Sequence, residues 1–350
     1  MSAVSQLVRY GLAIIGLGIA LAVGWNALRG ADLPPLSGSW SIPAVALLQI
    51  VQQFGCGCAW RNLVEAPRPS YWSFFRTRWV RASFATLVPV GGAGAALVAV
   101  RLAMRAGLSL DIAVASLMLD ATIEMISQIV FMALGLALLL ASAPQLPVVE
   151  WAAATLLLAV LAAAAFIALQ RSGGMKLIEF VIAKLASRWP RFLPLTEARL
   201  HDRLMRLHQH RRAASVSGLM HFGAWMLGAA EIWLILFAFG QPISFATCVV
   251  VESLAMVGRS AGFFIPGALG TQEVALVLVG KLVGLTPETA ILIAIVKRMR
   301  DVLVGVPGLL LWVGLEGFRA KLPRFLGGNL EPVVVPQFST TTSYREGDPI

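Results

Sequence analysis

Inside long apolar stretches, the chain places carboxylates, amides and strong bases at spacings that align them. Asp120, Glu124 and Gln128 stand at i, i+4 and i+8, which sets them along one helix face. Lys297, Arg298, Arg300 and Asp301 form a dense group later in the chain. Arg259, Gln272, Glu273 and Lys281 precede that group, and Arg101 and Arg105 lie in the first half. Glu231 and Glu252 are further acids in apolar surroundings. An ionisable group deep in a bilayer is costly unless paired or hydrated, so each of these is a candidate functional residue.

Two chemistries follow. The cations of Arg259, Lys297, Arg298, Arg300 and Arg101 suit phosphate oxygens, so they are candidate ligands for an anionic head group. Asp120, Glu124, Glu273 and Asp301 balance that charge and are candidates for proton coupling, with Gln128 and Gln272 as polar lining. Set against Glu273 and Asp301 alone, Arg259, Lys297, Arg298 and Arg300 leave an excess of positive charge. Lys297 and Asp301 can pair at i, i+4. The alternative role for all these charges is mutual neutralisation that fixes helix register.

The elements that must carry these residues are membrane helices. Of 350 residues 58% are hydrophobic and 13% charged, and the mean hydropathy is +0.80. Soluble domains run at about 45–50% apolar and about 25% charged, so a water-soluble fold is excluded. The net charge of +10 is clustered, and such clusters report membrane orientation before any nucleic-acid partner. Full spans, which need roughly 20 apolar residues, are expected at about 8–28, 41–64, 112–141, 148–170, 214–239 and 288–314. The predicted class is an all-α polytopic membrane protein.

Lysine and arginine set the orientation. The segment 171–212 holds ten of them against three acids, and 61–81 holds Arg61, Arg68, Arg76, Arg78 and Arg81 against Glu65. Both are expected in the cytoplasm, as are the N-terminus and the tail after 315. The loops 142–150 and 240–244 lack Lys and Arg and are expected outside. Region 79–105 then starts and ends on one side and is too short to cross twice, which predicts a re-entrant hairpin. Its hinge residues are Pro89, Gly91, Gly92 and Gly94. Region 243–284 reads the same way, with hinges Pro266, Gly267 and Gly270, although it is long enough for two thin crossings. Irregular backbone at membrane depth is tolerated where protein or a watery cavity covers it. A kinked packing helix is the plainer alternative for both.

A shift of 177 positions lays Pro89 on Pro266, Gly107-Leu108 on Gly284-Leu285, Glu124 on Asp301 and Asp120 on Lys297. Identity is poor, but the order of helix, broken hairpin and helix occurs twice, in 41–141 and 214–314. By the charge argument the two units face opposite ways, the inverted-repeat plan of many transporters. Asp120 and Lys297 could then pair across the repeat. One integral membrane domain is expected over 1–326, followed by a disordered cytoplasmic tail at 327–350. Segment 175–189 has one apolar face and suits an interfacial helix or a soluble helical hairpin.

Other signals are discounted. There is no P-loop, GxSxG or HExxH motif, and no cofactor is expected. Cys56, Cys58 and Cys248 supply no four-ligand zinc set, and His201, His208 and His210 lie in the basic loop, so no metal site is expected. His221 falls near the inner end of a helix and reads as interfacial.

The run Val88-Pro-Val-Gly-Gly-Ala-Gly94 with Arg101, then Ala115-Ser-Leu-Met-Leu-Asp120, Ser127-Gln128 and Gly135-Leu136, resembles the lysylphosphatidylglycerol synthase transmembrane (flippase) family. So do Phe264-Ile-Pro-Gly-Ala-Leu-Gly-Thr-Gln-Glu273, Lys297-Arg298-Met-Arg300-Asp301 and Pro307-Gly308. Within it the chain is most similar to hopanoid-biosynthesis-associated membrane proteins. The resemblance implies a bacterial inner-membrane protein that handles an anionic phospholipid or a hopanoid-type lipid, with hopanoid-biosynthesis enzymes as possible partners. It implies the lipid-handling half of multidomain members, without their aminoacyl-transferase activity. An intramembrane lipid-modifying enzyme using Glu273 or Asp120 as base, and a scaffold docking through 171–212, are the rival expectations. Oligomeric state has no signature in the sequence.

Overall fold

The computed structural model describes residues 38–64, 68–88, 91–142, 211–261 and 270–325, with seven isolated helical positions between 154 and 168. Among the described residues every regular element is an α-helix: α1 (Ser41–Asn62), α2 (Tyr71–Leu87), α3 (Gly91–Arg105), α4 (Leu110–Ser142), α5 (Arg211–Ala238), α6 (Phe245–Ala261), α7 (Thr271–Leu282) and α8 (Pro287–Phe325). The spans expected at 8–28 and 148–170, most of the 171–212 loop including 175–189, and the tail at 327–350 lie wholly or largely outside these residues.

The helices α1, α4 and α5 are long and apolar enough to cross a membrane. With 39 residues α8 is longer than any of them, but it carries the 297–301 charge group. The protein is thus a multi-pass membrane protein, all-helical among the described residues.

The eight helices make two runs, each a longer helix, two shorter ones and a long one. Their lengths are 22, 17, 15 and 33 residues, then 28, 17, 12 and 39. The second short pair lies within the region 243–284, whereas the first starts at Tyr71, eight residues before the region 79–105 and inside the expected cytoplasmic loop. At 1.5 Å per residue α3 rises about 22 Å and α7 about 18 Å, short of the about 30 Å hydrocarbon core. Gly91, Gly92 and Gly94, expected as hinges, belong to α3. Pro89, Pro266 and Gly267 lie outside the described residues.

Both short pairs hand over to the next long helix by one device. Gly107 and Gly284 take positive φ, 107° and 81°, values that a β-carbon would oppose. Leu108 N then donates to Ala103 O at 3.2 Å, and Leu285 N to Gly280 O at 2.9 Å. This closure satisfies carbonyls that the helix end would leave bare. The next helix is entered through Ala113 N to Ser109 O and Ala290 N to Thr286 O. Each of these residues is displaced from its counterpart by 177 positions.

Packing follows the same plan. The helix pairs in substantial contact stay the same set when α1–α4 are exchanged for α5–α8. For example, α2 packs on α8 as α6 packs on α4, and α1 on α8 as α5 on α4. The centre is α1 against α5, and these run antiparallel. Gly38 meets Phe239, Gln52 Nε2 donates to Ala224 O, and Ser217 Oγ donates to Ala59 O at 2.6 Å. The core falls into three clusters, around Trp60 and Leu117, around Phe131 and Ile232, and around Phe84 and Trp312.

Candidate functional site: two buried ion-pair networks

The first network joins α2, α4 and α5. Ser70 starts α2 as an N-cap whose Oγ accepts from Ser73 N at 3.2 Å. That start puts Arg78 and Arg81, one turn apart, on the side facing α4. Arg78 grips Glu124 with both Nη atoms, Nη1 donating to Oε2 at 2.9 Å, and lies 3.5 Å from Asp120 Oδ2. Arg81 stands 3.7 Å from Asp120 and 4.0 Å from Glu124. His221 Nε2 shares a 2.9 Å hydrogen bond with Asp120 Oδ1, and both side chains are shut off from solvent. Beside the network, Trp60 Nε1 of α1 donates to Ser116 Oγ of α4 at 3.1 Å.

The second network joins α5, α6, α7 and α8. Lys297 Nζ donates to Glu252 Oε2 at 2.5 Å and stands 3.8 Å from Glu231. Arg300 donates from Nη1 to Glu231 and from Nη2 to Asp301 Oδ1 at 2.6 Å. Arg298 Nε donates to Glu273 Oε1 at 2.5 Å and Nη1 lies 3.5 Å from Asp301. Gly270, at φ 83°, precedes α7, and its N–H donates to Glu273 Oε2 at 2.8 Å. Glu273 therefore closes the start of α7 and ties it to α8. Gln272, next to it, is buried, and its Oε1 has no hydrogen-bond partner.

The two networks occupy matching places with opposite polarity. Arg78 is the eighth residue of α2 and Glu252 the eighth of α6. Asp120 is the eleventh residue of α4 and Lys297 the eleventh of α8. In the first run the short helix supplies the cation and the long helix the carboxylate, and in the second run the roles are exchanged. Helix α5 reaches both, through His221 and, ten residues on, Glu231. That separation is about 15 Å along the axis.

Several expectations change. Asp120 and Lys297 do not meet; each pairs with the short helix of its own run. Lys297 turns to Glu252 rather than to Asp301, because α6 brings a buried carboxylate that must be neutralised. The excess of cations in the second half is absent among the described side chains, where Lys297, Arg298 and Arg300 face Glu231, Glu252, Glu273 and Asp301. Arg78 and Arg81, counted with a loop, sit on α2, Arg78 at the heart of the first network and Arg81 at its edge. His221 is buried rather than interfacial.

Of the other residues singled out, Arg101 is half-buried on α3 and Arg105 Nη1 donates to Leu315 O at 3.0 Å. Gln128 Nε2 lies 3.7 Å from Met256 Sδ. Arg259 falls in α6, but its side chain lies outside the described residues. The signal that could have found Arg78 and Arg81 was Ser70, a helix-start residue after Pro69 that predicts a helix through them.

The arrangement can hold charge and polar groups deep in an apolar body, and it can stabilise an anion or exchange a proton there. No catalytic assembly is needed for either task. No curated protein and no solved structure matches the chain. A family model described as the lysylphosphatidylglycerol synthase TM region matches residues 8–308, most of its length. The chain belongs to that family of lipid-related membrane proteins.

Proposed function

We propose that the protein moves an anionic lipid between leaflets, as a flippase-like transporter built from two inverted units, α1–α4 and α5–α8. The observation that carries this reading is the pair of buried ion networks at matching places in the two runs. Antiparallel α1 and α5 at the centre are what inversion requires of two equivalent helices, and the twice-used short pair is what broken hairpins at a midplane site require. Buried ionic groups are retained in a membrane where a polar path needs them. A carboxylate already neutralised by cations, as Glu273 is by Arg298 and Asp120 by Arg78, Arg81 and His221, is a poor general base, so transport is favoured over lipid chemistry.

In this reading the head group follows the polar interior while the acyl tails stay in lipid. The inner membrane of a bacterium is the proposed location, with Ser109 on the cytoplasmic side and Thr286 opposite. Anionic phospholipids are the first cargo to test, and the motif resemblance adds a hopanoid-type lipid to the panel.

The test is reconstitution in vesicles with fluorescent lipids, scored by quenching of the outer leaflet. Exchange of an anionic lipid is expected with the wild type and absent from protein-free vesicles. Absence of exchange for every lipid tried, with correctly inserted protein, would overturn the transport reading.

A further inference from the structure

The two networks differ in how tightly they hold their cations. Arg78, Lys297, Arg298 and Arg300 each donate at least one hydrogen bond to a carboxylate, at 2.9 Å or less. Arg81 does not hydrogen-bond its carboxylate neighbours, which stand 3.7 and 4.0 Å away, beyond hydrogen-bond reach. Its Nη1 is buried without a hydrogen-bond partner. Its side chain is 21% exposed, against 3–10% for the other four. It is therefore the most exposed cation of the two networks among the described residues, and it donates no hydrogen bond to a carboxylate.

Electrostatics favours the same place. Among the described side chains the second network carries one more carboxylate than it has cations. In the first, Arg78 and Arg81 match Asp120 and Glu124, and His221 can add a proton's charge beside them. An incoming anion adds less unfavourable charge there. A guanidinium fork with free N–H groups is the natural partner of phosphate oxygens, which it takes in pairs.

From this geometry we infer that Arg81, at the edge of the α2–α4–α5 network, is the receptor for a phosphate-bearing anion, with Arg78, Asp120, Glu124 and His221 holding it in place. This rests on the lipid-handling reading and moves the head-group contact from the 297–300 cluster to the first half of the chain. The shared chemistry is the phosphate group, and the source can be a lipid head group or free phosphate.

Purified protein in detergent is titrated with short-chain phosphatidylglycerol, with diacylglycerol of the same chain length, and with inorganic phosphate, and bound species are counted by native mass spectrometry. Phosphatidylglycerol is expected to bind and diacylglycerol not. Arg81→Gln is expected to weaken binding about tenfold, the scale of a lost charge-assisted hydrogen bond. Arg81→Lys keeps the charge but loses the fork, so it falls between the two. Arg76→Gln, five residues earlier on the same helix and on a different face, is the charge-loss control and should bind as wild type.

Displacement of the lipid by inorganic phosphate at similar concentration would assign the site to free phosphate, and resistance to it would assign the site to a lipid. Unchanged lipid binding in folded Arg81→Gln and Arg81→Lys would overturn the assignment. Arg81-dependent binding without leaflet exchange would sink the transport reading and leave this site standing.

Discussion

The α2–α4–α5 network and the α5–α6–α7–α8 network are built on one register and opposite charge. Arg78 faces Asp120 and Glu124 where Glu252 faces Lys297. The first network is small and ends in a loosely held arginine. Among the described residues the second has seven ionisable groups on four helices. The comparison teaches that the framework requires a charge pair at these positions but not a given sign. What each unit adds around its pair sets the difference in role: the second locks its helices together, and the first keeps a cation in reserve.

If the second network is the lock, removing its central cation should have the largest effect. Lys297→Met leaves Glu231 and Glu252 buried without it, and breaking such a pair costs about 3–5 kcal/mol. Thermal unfolding in detergent is expected to drop sharply, and Glu252→Leu in the same chain should recover most of the loss. Arg78→Met should cost less, near about 3 kcal/mol, because Arg81 still faces both carboxylates. Equal losses in both variants would remove the distinction between lock and reserve.

Backbone proximity offers a smaller lever. A β-carbon on Gly57 of α1 would stand 3.0 Å from the Phe75 backbone of α2. Gly57→Ala must therefore push α2 from α1, at about 1–3 kcal/mol, the usual range for overpacking. The Arg81-dependent binding should weaken with it, since α2 carries that residue. Smallest of all, Glu273→Gln should cost at most about 1 kcal/mol. The side chain is 33% exposed, and glutamine retains an acceptor for the Gly270 N–H. A loss in that variant rivalling Lys297→Met would put the lock in α7 instead.

Much of the frame is legible in the sequence, because membrane helices are written in runs of apolar residues and their breaks in proline and glycine. The 177-residue shift is visible in Gly107-Leu108 and Gly284-Leu285, and the structure gives its physical reason, a shared helix termination. The candidate acids and bases are also visible, since an ion in an apolar run stands out. Their partners are not. Arg78 and Arg81 sit beside other arginines in a moderately polar stretch, so charge counting assigns them to a loop. Glu252 finds Lys297 from 45 positions away, and His221 finds Asp120 from 101. Helix spacing relates residues three and four apart and says nothing about pairs made by tertiary packing.

The central claim is that the two runs lie inverted in the membrane, and it can be tested at equivalent turns. Ser109 and Thr286, both exposed, precede α4 and α8 at matched positions. Each is changed to cysteine singly, in a chain whose Cys56, Cys58 and Cys248 are replaced by alanine, and labelled in intact cells and in inverted vesicles with a membrane-impermeant maleimide. The account predicts that Ser109→Cys reacts only from the cytoplasmic face and Thr286→Cys only from the opposite one. Labelling of both from the same face would contradict it.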